Sequence, residues 1–159
     1  MTASRLRRKI ASPILDLLRQ GITPEKIALS IALGVTLGVV PVLGSTSMLC
    51  FLAAVLLRLN LPAIQLVNYL VYPLQFALLV PFIRLGEWIF ASPPAGIGLA
   101  DIVGLIRADV WQAIATLWTV TMHALVAWLI LGSLVSLLIY WTLTPVLRRL
   151  GEAIRTESR

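Results

Sequence analysis

The chain has 159 residues, 59% of them hydrophobic and only 13% charged, with a mean hydropathy of +0.95. Soluble domains carry about 25% charged residues, and one domain of this length cannot bury so much apolar surface in water. Lipid must be the solvent for part of it, and the length allows one compact membrane domain rather than two.

The net charge of +6 gathers at the two ends. Arg5, Arg7, Arg8 and Lys9 crowd one, and Arg148, Arg149, Arg155 and Arg159 crowd the other. These groups flank apolar spans, which points to anionic lipid headgroups and membrane topology rather than nucleic acid.

Residues 1–22 predict a basic amphipathic helix lying in the membrane interface. Leu6, Ile10, Ile14, Leu17 and Leu18 recur at helical spacing, with Arg5, Arg8, Lys9, Asp16 and Arg19 on the other side. Pro13, Asp16 and Arg19 interrupt the apolar stretch that a cleaved signal peptide would need. Gly21 ends this helix. Thr23–Pro24–Glu25 then supplies an N-cap, a proline suited to the first helical position, and an acid at the positive dipole end.

From Ile27 to Leu57 there is no formal charge. A single helix over that stretch would measure about 46 Å, too long for a hydrocarbon core of about 30 Å. Pro41 and Gly44 split it into halves too short to cross. The spacing therefore predicts a re-entrant or short helical hairpin, its tip at Gly44–Ser45–Thr46–Ser47. Two thin, tilted crossings are the alternative. Leu61 to Ile83 is long enough to cross and predicts a helix kinked at Pro73. Residues 91–112 predict an external loop with a short amphipathic segment. Residues 113–147 predict a long transmembrane helix, with Trp118 and Trp141 at its two interfaces. Residues 148–159 form a basic cytoplasmic tail.

Arg58 is the one charge between Ile27 and Ile83. Counting Lys and Arg on the flanks puts both termini and Arg58 in the cytoplasm and the 91–112 loop outside. Two crossings plus the hairpin satisfy this, as do four crossings. The fold class expected is an all-α integral membrane protein.

Three sets of residues are candidates for function or packing. Ser30, Gly34 and Gly38 form a small-residue stripe of the kind that lets helix backbones approach in lipid, within one molecule or between copies. Ser45, Thr46 and Ser47 would place a half-helix N-terminus at membrane depth, where its N–H groups can meet a polar or anionic group, or where a hydroxyl simply caps its own helix. Gln65, Asn68, Tyr72 and Gln75 are spaced 3, 4 and 3, which aligns four polar side chains on one helix face. That face should turn to protein or water. Carbonyls freed near Pro73 can join it.

No Asp or Glu lies inside an apolar span, which removes paired carboxylates and a Ser–His–Asp triad, so no enzyme is expected. The lone His123 is an interfacial residue. Cys50, the single cysteine, has no disulfide partner, and no Cys/His spacing suits zinc, so neither metal nor cofactor is expected.

The run Thr23–Pro24 to Ser30, Gly34, Gly38, Pro41–Gly44, Leu57–Arg58–Leu59–Asn60, and Tyr72–Pro73 through Arg84–Glu87 resembles a bacterial membrane-domain family, domain of unknown function 2062. The likeness covers about residues 20–90, which takes in the expected 23–90 membrane domain with broken helices, and leaves the segment from about Gly96 onward outside. The family tends to carry Gln where this chain has Thr46, and Asn–Pro followed by Thr where it has Tyr72–Pro73 and Gln75. The resemblance implies a bacterial inner-membrane protein and no particular activity.

The function expected is a polar intramembrane site used in transport, permeation or lipid-headgroup handling. The alternative is a scaffold or partner subunit with no substrate of its own. The partners expected are membrane lipids, including anionic headgroups, together with further copies of the chain or other membrane proteins.

Overall fold

The computed structural model describes residues 22–94, 104, 107 and 109–157. The interfacial helix expected over 5–20 and most of the loop expected over 91–112 lie outside them. The described residues form four main helices and no strand: α1 (Pro24–Gly38), α2 (Thr46–Leu56), α3 (Leu61–Ile89) and α4 (Val110–Glu157).

Local sequence sets the starts. The Thr23 hydroxyl accepts from the Lys26 N–H at 3.4 Å, and Pro24 opens α1. The Asn60 amide oxygen accepts from the Ala63 N–H at 2.8 Å, with Pro62 in the first turn of α3. Each cap satisfies a donor the helix leaves orphaned.

The ends run further than charge suggests. α3 continues past Ile83 to Ile89 because Arg84 and Glu87, one turn apart, pair at 3.0 Å within the helix. α4 continues through Pro145 into the basic tail. Among the described residues α3 and α4 are the two helices long and apolar enough to cross a membrane. Only 22% and 17% of their most apolar windows are buried among the described residues, which points toward membrane association.

At about 1.5 Å per residue α1 and α2 measure roughly 22 and 16 Å, less than a hydrocarbon core. α1 nevertheless shares the centre of the fold with α3, each touching the other three helices, while α2 touches only α1 and α3. α1 and α3 run parallel: a Cβ at Gly34 would fall against Val67 and Ile64, and one at Gly38 against Val71 and Asn68. α4 runs antiparallel to α1, pairing Glu25 with Arg148, Ile27 and Ala28 with Leu147, and Thr36 with Gly132. Small side chains at these seams let the backbones approach, which is what drives association in lipid. A third close approach joins α3 to α4. Gly86 lies against the His123 backbone, and Phe90 stacks on the His123 ring at 4.3 Å between centroids.

The antiparallel arrangement also sorts charge. Lys26, Arg58, Arg148 and Arg149 lie at the end where α1 and α3 begin and α2 and α4 finish. Arg84 and Glu87 lie at the other.

Candidate functional site

Residues 39–45 join α1 to α2, and Val39, Val40 and Pro41 are buried. A helix end leaves about four carbonyls without intrahelical partners, and Pro41 contributes no N–H. Gly44 turns the chain at φ +84°, a left-handed conformation that costs glycine little. Broken backbone in a dry interior needs partners from elsewhere.

Those partners come from three helices. The Trp128 indole N–H of α4 donates to the Thr36 carbonyl at 2.9 Å. The Gln75 amide N–H of α3 donates to the Val40 carbonyl at 2.8 Å. The Val40 N–H reaches back to Leu37, and the Ser45 hydroxyl donates to the Val42 carbonyl at 2.8 Å. Ser45 therefore turns its hydroxyl toward the joint and makes no side-chain cap for α2.

Below the joint, the first turn of α2 meets α3. Gln65 Nε2 donates to the Ser47 carbonyl at 3.0 Å. Asn68 Nδ2 donates to the Ser47 hydroxyl and to Gln65 Oε1, each at 3.2 Å. The tip and the amide stripe thus meet through Ser47, Gln65 and Asn68, while Gln75 serves the joint one level up. Thr46 is buried beside them.

Tyr72 is not brought in. Its ring is exposed and packs edge-on against Phe76. The face is covered on either side of it, by Ser47 at Gln65 and Asn68 and by the Val40 carbonyl at Gln75, but not at Tyr72 itself. Pro73 is likewise exposed on that helix, and its missing N–H frees the carbonyl of Tyr69.

Asn68 and Gln75 are both 0% exposed, and each keeps one atom unpaired: Asn68 Oδ1 and Gln75 Oε1. Buried amide oxygens without partners are uncommon and costly, about 1–3 kcal/mol each. Gly38 leaves room beside the first, since a Cβ there would stand 3.1 Å from Asn68 Oδ1. The polar groups here are amides, hydroxyls and carbonyls, which neither gain nor lose protons near neutral pH. Among the described residues no cluster of His, Cys, Asp or Glu suits a metal.

Ser30 lies in the same stripe as the two glycines, fully buried, its hydroxyl returned to the Lys26 carbonyl at 2.7 Å. With Gly34 and Gly38 occupied by α3, those two positions serve packing within the molecule. Trp128 and Gly86 carry contacts that sequence reasoning passed over. The available signal for Trp128 was its place in the sequence: tryptophan is enriched at membrane interfaces, and this one falls about midway between Trp118 and Trp141.

A family profile described as an uncharacterized protein conserved in bacteria matches residues 7–154. The chain belongs to the DUF2062 family. The match carries the likeness read from residues 20–90 across α1, α2, α3 and α4 as far as residue 154. The segment after Gly96, expected to lie outside the family, is therefore part of it. No curated protein and no solved structure matches the chain. Thr46 and Gln75, two of the positions singled out in the resemblance, are both buried.

Proposed function

We propose that this DUF2062 protein is a bacterial inner-membrane protein whose interior holds a polar site for moving or binding a small polar solute or headgroup. In this reading α3, bent at Pro73, and α4 cross the bilayer. α1 and α2 enter from the cytoplasmic side as a re-entrant hairpin, and both termini are cytoplasmic.

The observation that carries the site is the pair of buried, unpaired amide oxygens of Asn68 and Gln75 beside the broken backbone. Irregular backbone at membrane depth is tolerated where protein or a polar cavity surrounds it. Helix length supports the hairpin, since α1 and α2 are each too short to span. Charge supports the orientation: four Lys/Arg side chains gather where α1 begins, a surface suited to anionic headgroups. The scaffold reading loses ground because Gly34 and Gly38, the face it relied on, already pack against α3. The reading is of a non-enzymatic protein without cofactor, since none of the polar groups at the joint titrates near neutral pH.

Two measurements test it. In a Cys50→Ser background, Leu43→Cys at the exposed tip should resist an impermeant thiol reagent added from outside. Brisk external labelling would instead establish four crossings. In proteoliposomes, the protein should raise the movement of some polar solute or headgroup above that of protein-free vesicles. Asn68→Leu, eluting as a folded protein, should lose the gain. A wild-type protein indistinguishable from empty vesicles with neutral solutes, ions and labelled lipids alike would refute the site.

A further inference from the structure

We infer that the intramembrane site takes a small uncharged solute that both donates and accepts hydrogen bonds, and that it rejects ions. This rests on the polar-site reading above. Two kinds of group line the joint and the turn of α2 just below it. Asn68 Oδ1 and Gln75 Oε1 are buried acceptors with no partner. The first turn of α2, which Ser45 does not cap, presents N–H donors and the positive end of a helix dipole. Acceptor oxygens oppose an anion, and the dipole end opposes a cation. A neutral molecule with a donor and an acceptor satisfies both.

Charge placement points the same way. From Ile27 to Ile83 the only formal charge is Arg58, an exposed residue in the turn at the opposite end of α2. That end is about 16 Å from the tip along the helix. α4 carries no formal charge from Val110 to Leu147. Among the described residues an ion at the joint would have no counter-charge, and removing an ion from water into an apolar medium costs tens of kcal/mol when unpaired. A neutral solute gives up only its hydrogen bonds to water, which the amide oxygens and N–H groups replace.

Asn68 and Gln75 are two helical turns apart, about 10 Å, more than one small molecule spans. They are therefore successive stations, and the arrangement suits passage better than tight holding.

The test uses the full chain in proteoliposomes. Stopped-flow light scattering follows urea and glycerol after an osmotic step. Entrapped dyes follow potassium and chloride. The expected result is faster entry of urea or glycerol than in protein-free vesicles, with potassium and chloride unchanged. Removing one acceptor by Asn68→Leu should slow that entry about tenfold, the equivalent of one hydrogen bond of about 1.4 kcal/mol. The wild-type preference is decisive even if that variant fails to fold. Potassium or chloride moving as readily as urea would overturn the inference and leave a polar site in place. Movement of labelled lipid alone would likewise overturn it. No movement of any probe would overturn it together with the site.

Discussion

Replacing Gly86 by alanine should force α3 away from α4. A Cβ at Gly86 would stand 2.5 Å from the His123 carbonyl carbon and 2.9 Å from the His123 Cβ. The carbonyl belongs to the backbone of α4, so no rotamer change clears it, and the helices must part by about 1 Å to restore ordinary contact. Overpacking of this kind costs about 1–3 kcal/mol, and a rigid obstacle places it at the upper end. Alanine recovers about 1 kcal/mol of helix propensity over glycine. The net loss is about 2 kcal/mol, which for a chain of this size lowers Tm by about 4–8 °C. Circular dichroism melting in a mild detergent reads it directly. Gly38→Ala is the comparison: its worst obstacle is a Val71 side-chain methyl rather than a backbone carbonyl, and although a helical valine is stiff at χ1 it yields more readily than backbone, so its loss should be smaller. If Gly86→Ala melts at or above the wild-type temperature, propensity has prevailed, and α3 and α4 do not cross where the reasoning requires.

Three other outcomes are expected. Trp128→Phe keeps most of the ring but leaves the Thr36 carbonyl without its donor, and should lower stability by about 1 kcal/mol in the same melt; no change would mean another group takes over. Cys50 is fully buried on the inner face of α2, so alkylation by a small maleimide should be slow in mild detergent and rapid in SDS. Equal rates would contradict that packing. The Glu25 carboxyl is held below the ordinary carboxylate range by a backbone hydrogen bond first and then by Arg148, 2.6 Å away. A lowered native pKa means this contribution is present above the ordinary range and fades as pH falls through the lowered value. The pair is substantially exposed, so its contribution is at most about 1 kcal/mol and shrinks with salt. Glu25→Gln should flatten that part of an acid melting series at low salt, and an unaltered slope would count against the link between α1 and α4.

Starts and breaks were the legible part of the fold. Thr23–Pro24 and Asn60–Leu61–Pro62 announce helices through local chemistry, and the structure begins α1 and α3 there. Pro41 and Gly44 announce the joint for the same reason. The helix ends were harder. Arg84 and Glu87 look like a terminus in sequence, yet they neutralise each other within one turn and let α3 run on. The amide stripe was half legible. Periodicity aligned Gln65, Asn68, Tyr72 and Gln75, but it does not say which of them a neighbour covers: Tyr72 stays exposed while Gln75, three residues on, is buried at the joint. Trp128 and Gly86 were hidden because their roles depend on partners, the Thr36 and His123 backbones, that only the folded chain brings near.

The joint between α1 and α2 also has a history in time. The Thr36 carbonyl receives its hydrogen from a residue 92 positions later in the chain, and the Val40 carbonyl from one 35 positions later. Ribosomes add about 5–20 residues per second, so these carbonyls wait about 2–20 s for donors that do not yet exist. Until Gln75 and then Trp128 emerge, water or the insertion machinery must hold those groups. The hairpin is thus made before α3 and α4 and can settle only after both.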